Sequence, residues 1–202
     1  VAQGAVELAD DVDAQRILMA LRGPQASYVR TQQAGLPPSQ EQIDQLARKA
    51  GADHAVRCYS ETYGLPISIT NCANNYGTHQ FPEKVIPLFT TNALAGKPLP
   101  LYESTQNQRE WIHADDHCAA IDLVLTEGRV GETYHVGTGV ERSVEQIADA
   151  VLAELGLPDA TKVIVPDRPG HDRRYLLDSS KIRDELGWEP KVAFEEGIVE
   201  TI

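Results

Sequence analysis

The sequence is poor in large aromatic side chains. Three Phe and two Trp in 202 residues cannot form a core around a few big rings, so burial must come from thin layers of Ile, Leu and Val. Cysteine is scarce as well. Cys58, Cys72 and Cys118 are odd in number and contain no C-x-x-C spacing, which excludes a disulfide or zinc framework and reads as reduced, buried thiols. No apolar run approaches the roughly 20 residues that cross a bilayer. The opening Val1-Ala2-Gln3-Gly4-Ala5-Val6-Glu7 lacks the basic-then-apolar order of a secretory signal, so a cytoplasmic setting is expected. Basic charge is in deficit: 18 Lys and Arg against 30 Asp and Glu give a net charge of -12. A polyanion is therefore repelled unless cations are focused in one cleft, and neither nucleic acid nor a membrane is expected as a partner. Internal repeats and low-complexity tracts are absent, which sets aside solenoids and long linkers.

What is present is an alternation of helix and strand signals. Val12, Ile17, Leu18 and Leu21, with acids ahead and Arg16 and Arg22 behind, predict an amphipathic helix over 5–22 that stops at Gly23-Pro24. Gly35-Leu36-Pro37-Pro38 is a break. Ser39 with Gln42 has the form of a capping box, so a helix is expected from there through Ile43, Leu46, Ala50 and Val56 to about Tyr63-Gly64. The short β-branched stretch 66–71 reads as a strand. Further helices are expected near 83–95, 115–127, 143–155 and 179–186, the last stopped by Gly187, and strands near 98–102, 110–113, 132–136 and 162–165. Trp188 and Phe194 are expected to pack the tail. This pattern is that of an α/β protein.

Several stretches invite a chemical reading. Asn71-Cys72-Ala73-Asn74-Asn75-Tyr76-Gly77 follows a strand, where open α/β sheets present ligands, although such residues also make Asx-rich turns for local reasons. Pro82-Glu83-Lys84-Val85 opens a helix whose free N–H groups and Lys84 would suit an anion; alternatively Glu83 complements the helix start and Lys84 is solvated. Arg109 and the cluster Asp167-Arg168-Pro169-Gly170-His171-Asp172-Arg173-Arg174 hold four arginines. They could clamp phosphates, or form a surface ion-pair network in which Asp167 and Asp172 neutralise two of them. Gly137-Thr138-Gly139 has Arg142 at the third glycine position and reads as a tight strand-to-helix connection, not a dinucleotide fingerprint. His113, Asp115, Asp116 and His117 match no metal-ligand spacing, so no metal is expected; Asp115 is expected to cap the following helix, with His117 partly buried in its first turn.

Taken in order, Lys49-Ala50-Gly51-Ala52-Asp53-His54, Thr70-Asn71-Cys72-Ala73-Asn74-Asn75-Tyr76-Gly77, Phe81-Pro82-Glu83-Lys84-Val85-Ile86-Pro87, Gly96-Lys97-Pro98-Leu99-Pro100-Leu101-Tyr102, Arg109-Glu110-Trp111 and Asp167 to Tyr175 resemble the later part of bacterial dTDP-glucose 4,6-dehydratases. These belong to the extended short-chain dehydrogenase/reductase superfamily. The resemblance runs from Lys49 to the end. It implies the C-terminal, substrate-binding part of a Rossmann-type α/β fold, with an incomplete dinucleotide-binding half. On this reading 1–48 is a helical segment of unknown role, 49–71 is a remnant helix and strand of the nucleotide-binding domain, and 72–202 is the nucleotide-sugar region.

The resemblance also implies residue roles. Lys49 would be catalytic and hold the ribose of NAD, with Asn75 against that cofactor and Asn74 touching the sugar nucleotide. Lys84 and Val85 would line the phosphate and ribose region. Pro100, Leu101 and Tyr102 would hold the thymine, Arg109 would grip the diphosphate, and Asp167, Arg168, Pro169, Gly170 and His171 would close over the nucleotide. Ser143 stands where the family has an asparagine, and His135 replaces another. Four residues before Lys49 stands Gln45, where the family has a catalytic tyrosine; the early glycine-rich fingerprint and the Thr-Asp-Glu acid/base run are absent. The implied reaction is removal of water from a nucleotide-activated hexose, giving a 4-keto-6-deoxy sugar through transient hydride transfer to NAD, with this polypeptide incomplete as a stand-alone catalyst. The other readings are a non-catalytic nucleotide-sugar-binding or interaction module of the same origin, and a site completed by another chain. A dTDP-hexose is the expected partner, and a homodimer is left open.

Overall fold

The computed structural model describes residues 17–21, 40–157, 162–167 and 173–202, with side chains from residue 51 onward. Its first half runs β1 (Ile17–Leu21), α1 (Gln40–Tyr63), β2 (Ile67–Cys72), β3 (Asn74–Tyr76), α2 (Val85–Leu94), β4 (Leu99–Tyr102) and β5 (Gln108–His113). The second half runs α3 (Ala114–Glu127), β6 (Thr133–Val136), β7 (Glu141–Ser143), α4 (Val144–Glu154), β8 (Lys162–Val165), β9 (Arg174–Tyr175), α5 (Ser180–Leu186) and α6 (Phe194–Thr201). The fold is α/β, as the alternation implies. No helix among the described residues is long and apolar enough to cross a membrane.

Helix α1 starts one residue after Ser39 and ends against Gly64, whose φ of 66° is left-handed. All six residues of β2 are buried, and the strand is the centre of a parallel sheet ordered β1-β2-β6. Burial on both faces explains its continuous β-branched character. Residues 17–21 correct the expected helix over 5–22. Ile17-Leu18-Met19-Ala20-Leu21 is an uninterrupted apolar run that pairs with β2 from Ile17 opposite Ile67 to Leu21 opposite Asn71. Supplying β2 with an edge partner outweighs the weak helical period. The rest of 5–22 lies outside the described residues.

A second sheet is built on β5. Its six residues pair with β3, β7 and β9, none longer than three residues. Strands that short carry no period, and the sequence shows none of them. β4 and β8 form a separate parallel pair. Two cores meet at β5. Trp111 faces a core with Phe89 and Ile86 of α2, Leu99 and Leu101 of β4, and Ile147 and Val151 of α4. Ile112, on the other face by strand alternation, joins Cys72, Val124, Tyr134, Ile182 and Trp188. Each such side chain contributes about 1.5–3 kcal/mol on burial.

The tail forms a helix, α6, that the sequence does not announce, because Gly197 interrupts its apolar period. Its Phe194 and Ile198 close the first core. The thiols are all free, as expected, but only Cys72 is buried; Cys58 and Cys118 are exposed on α1 and α3. A helix presents only one face to the core, and these two cysteines lie on the other.

Candidate functional site

Strand β5 is the spine of the site. Gln108, Arg109 and Glu110 pair antiparallel with Ser143, Arg142 and Glu141, while Gln108 and Arg109 pair parallel with Arg174 and Tyr175. Further along, Trp111 and Ile112 stand opposite Asn74 and Asn75. Arg109 is therefore two residues along and one strand across from Asn74, roughly 8 Å by standard sheet spacings.

The connection 103–107, between β4 and β5, gathers further residues. Beyond Tyr102, the Glu103 N–H donates to the Val165 carbonyl at 3.1 Å, and the Ser104 N–H and hydroxyl donate to Asp167 Oδ1 at 3.0 and 2.8 Å. Gln108 N–H donates to the Arg173 carbonyl at 2.8 Å, and Glu145 N–H to the Thr105 carbonyl at 3.4 Å. Asp167 and Arg173 are thus both fastened to the same short stretch. Arg168, Pro169, Gly170 and His171 lie between them, outside the described residues. Tyr102, Arg109, Ser143 and Asp167 are brought together around 103–107.

Other expected residues take more varied positions. On β4, Leu101 is 1% exposed and packs in the first core, whereas Pro100 and Tyr102 are half-buried on the opposite face. Of the three residues expected at the base, Leu101 therefore has its side chain in the core. Ser143 is buried as the N-cap of α4: its hydroxyl accepts from Gln146 N–H at 3.1 Å, and Gln146 Oε1 accepts from Ser143 N–H at 2.8 Å. Lys84 precedes α2, with Val85 as the first helical residue; its ammonium lies 2.9 Å from Glu83 in an exposed pair. No side chain caps that helix start, but Ile86 is buried and Pro87 has no N–H, so the first turn has few N–H groups to offer an anion. Arg109 donates to the Gln108 carbonyl at 2.8 Å. Arg174 is held bidentately by Glu141 at 2.8 and 2.7 Å, so this arginine does belong to an ion pair, though with an acid from β7. Lys49 lies on α1, which packs on β2; its side chain, like that of Gln45, is outside the described ones.

Buried polar groups fix this frame. Glu110 is 0% exposed, and its carboxylate accepts from Gly139 N–H at 2.6 Å and Leu177 N–H at 2.9 Å. Burial pushes this carboxyl above the ordinary range, against those two hydrogen bonds. Gly137 has to be glycine, because a Cβ there would collide with the Glu110 carboxylate. Gly137-Thr138-Gly139 is thus a carboxylate cradle leading into β7, rather than a direct turn into a helix. Asp116 accepts from Lys191 and Val192 N–H at 2.9 and 3.0 Å and ties the tail to α3.

The cap of α3 also differs from expectation. His113, extended at the end of β5, is the N-cap and accepts from Asp115 N–H at 3.4 Å; Asp115 lies exposed in the first turn. The helix follows the strand without a linker, so the last strand residue takes the cap. His117 is half-buried as expected, and burial lowers its proton affinity. Its Nδ1 lies 2.9 Å from Asn75 Oδ1. Burial raises the Tyr76 phenol to about 12, with its hydroxyl packed against Gly197. Glu110, Asp116 and the His117–Asn75 bond are functional candidates that sequence reasoning missed. The available signal for Glu110 was an acid inside a strand, followed in sequence by two closely spaced glycines.

Known proteins resemble the chain over most of its length. The family model described as GDP-mannose 4,6 dehydratase matches residues 47–201. The chain is 51% identical over 165 residues to a dTDP-glucose 4,6-dehydratase of Xanthomonas campestris pv. campestris, covering 77% of this chain and 47% of that one. It is 47% identical over 163 residues to the Salmonella typhimurium enzyme of the same name, covering 77% of this chain and 45% of the relative. The crystal structure of dTDP-glucose 4,6-dehydratase from Streptomyces venezuelae, solved with NAD bound, superposes with a TM-score of 0.82 at 43% identity, covering 98% of this chain and 62% of that chain. UDP-glucose 4-epimerase from Thermotoga maritima superposes with a TM-score of 0.82 at 25% identity, covering 100% of this chain and 67% of that chain. The chain spans about half the length of the curated relatives it matches.

Proposed function

Because the chain belongs to the GDP-mannose 4,6 dehydratase family and has the Rossmann-type fold of extended short-chain dehydrogenases/reductases, we propose that it forms the nucleotide-sugar-binding part of a dTDP-glucose 4,6-dehydratase. The observation that carries this reading is the convergence of Tyr102, Arg109, Ser143 and Asp167 on the connection 103–107. In an acidic protein a guanidinium placed on a sheet spine, with Arg173 returning beside it while Arg174 is taken up by Glu141, offers a counter-charge for a diphosphate.

On this reading Arg109 grips the diphosphate, and Pro100 and Tyr102, on the open face of β4, hold the base. Asp167, kept by Ser104, and Arg168, Pro169, Gly170 and His171 are the residues proposed to contact the nucleotide from this side. Asn74 meets the sugar from the far end of β5, and Lys84 and Val85, at the start of α2, serve the phosphate and ribose. Residues 72–202 form the sugar-nucleotide region, and 49–71 belong to the nucleotide-binding side.

The residues present also fit an NAD site. The helix bearing Lys49 packs on β2, and β2 leads directly into Asn75 at the C-terminal end of a parallel sheet, the usual locale of a dinucleotide. Lys49 would hold the ribose, and Asn75 would form a wall beside it. When bound, NAD supplies reversible hydride acceptance. Gln45 cannot take a proton from a sugar hydroxyl, so the chain alone is proposed to bind without turnover.

Calorimetry tests the reading. dTDP should bind at least ten-fold more tightly than thymidine, a difference of about 1.4 kcal/mol, and Arg109→Ala should remove most of it. Equal affinity for the two ligands would exclude a diphosphate site. Formation of a 4-keto-6-deoxy sugar from dTDP-glucose and NAD at an enzyme-like rate would overturn the inactive-alone part. A pure interaction module is the result if no nucleotide raises the melting temperature at saturating concentration.

A further inference from the structure

Of the two neighbouring amides, Asn75 is the one spent inside the protein. Its Nδ2 lies 3.1 Å from the Ala73 carbonyl and 3.1 Å from Cys72 Sγ, and its backbone carbonyl accepts from Gln80 Nε2 at 2.7 Å. A carbonyl oxygen can only accept, so the amide atom facing Ala73 must be the nitrogen, and this fixes which way the carboxamide points. Oδ1 then faces His117 Nδ1 at 2.9 Å. An amide oxygen is an acceptor only, so His117 must carry its proton on Nδ1. Its Nε2 is left as a bare lone pair, buried and without a hydrogen-bond partner among the described residues.

The four bonds make 72–75 a cross-braced turn. It joins the end of β2 to β3, with α3 as the anchor through His117. The adjoining backbone is held as well: Ala73 N–H donates to the Val136 carbonyl at 3.0 Å, and Asn74 stands opposite Trp111 of β5. The turn therefore presents Asn74 on a rigid base, beside the strand that carries Arg109.

We propose that His117, held as the Nδ1–H tautomer, is a positioning residue that orients the Asn75 carboxamide and thereby fixes Asn74 for the nucleotide sugar. The last clause rests on the function proposed above; the tautomer and the brace do not. His117 is not itself a ligand contact in this arrangement. Asparagine can place an amide N–H close to where the imidazole Nδ1–H sits, so His117→Asn is the conservative variant; His117→Leu fills the space without a donor.

Nitrogen-15 NMR of the full chain with labelled histidine and asparagine, without ligand, reads the tautomer directly. The expected result is a protonated Nδ1 and a bare Nε2 at His117. In His117→Leu the Asn75 side-chain amide protons should exchange with solvent at least ten-fold faster, with His117→Asn close to the unaltered protein. Titration with dTDP then gives a ten-fold weaker affinity for His117→Leu and restoration by His117→Asn. An Nε2–H tautomer in the unaltered protein, or unchanged Asn75 exchange in His117→Leu, overturns the brace. If the NMR results hold but dTDP affinity is the same in all three proteins, the brace stands and its role in presenting Asn74 is overturned. If the unaltered protein binds no dTDP at all, it is the nucleotide-sugar reading that fails.

Discussion

The parallel sheet β1-β2-β6 and the mixed sheet built on β5 meet at Ala73, between β2 and β3, yet they are held by different forces. β2 is buried along all six residues, and Ile67 and Ile69 pack with Val56 of α1. Around β5 the partners are two or three residues long. They are kept in place by polar anchors: the Glu110 carboxylate on two backbone N–H groups, Asp116 on two more, Ser143 in a capping box, and Ser104 on Asp167. Apolar burial is roughly proportional to area and indifferent to direction. Hydrogen bonds specify distance and angle. The candidate site lies in the second region, where placement matters more than bulk stability.

That contrast can be broken or sharpened by substitution. Removing the Glu110 side chain should have the largest effect. Glu110→Ala leaves two buried N–H groups unsatisfied, at about 1–3 kcal/mol each, so urea unfolding should show a loss of about 4 kcal/mol together with weakened dTDP binding. Ile69→Ala in the parallel sheet should cost about 3 kcal/mol through its cavity. Corrected for the folded fraction, its dTDP affinity should stay within about two-fold, since no site geometry changes. An equal loss of affinity in both variants would erase the distinction between the sheets. Asp116→Asn keeps one acceptor and turns an amide donor toward the other N–H, for a loss of about 2 kcal/mol, with hydrogen exchange rising at Lys191 and Val192.

The smallest expected effect is on pH dependence. Burial lowers the proton affinity of His117 and of His135, so the unfolded chain binds more protons than the folded one below the ordinary histidine value. Their contribution is fully present above about pH 6.5 and declines as pH falls. Glu110, raised by burial, acts in the opposite sense in the acid range: its contribution is present below the ordinary carboxyl value and declines as pH rises through the folded one. Urea midpoints should therefore fall from pH 7 to pH 6, and the slope should flatten in His117→Asn.

Local rules in the sequence reached much of this fold. Ser39 with Gln42 located the start of α1 within one residue, and Gly187 located the end of α5. Longer strands were legible because their burial pattern repeats. β3, β7 and β9 were not, because two or three residues cannot show a period, and they exist only because β5 offers free edges. β1 was misread because an apolar run of five lies inside a window that also fits a weak helix. For the site, the motif order named Asn74, Asn75 and Arg109, and the register of β3 on β5 puts them on neighbouring strands. Strand alternation, once β4 is seen, separates Leu101 from Pro100 and Tyr102. The tasks of Glu110 and His117 could not be read locally, since their partners are 29 to 67 and 42 residues away.

Amide chemical-shift mapping of the nitrogen-15-labelled chain during titration with dTDP tests most directly where a ligand sits. The expected shifts concentrate at Tyr102 to Arg109, Ser143, Asp167 and Arg173, with a second group at Asn74. Saturable shifts confined to α1 and the sheet β1-β2-β6, with the connection 103–107 unmoved, would contradict a nucleotide-sugar site on the polar-anchored sheet.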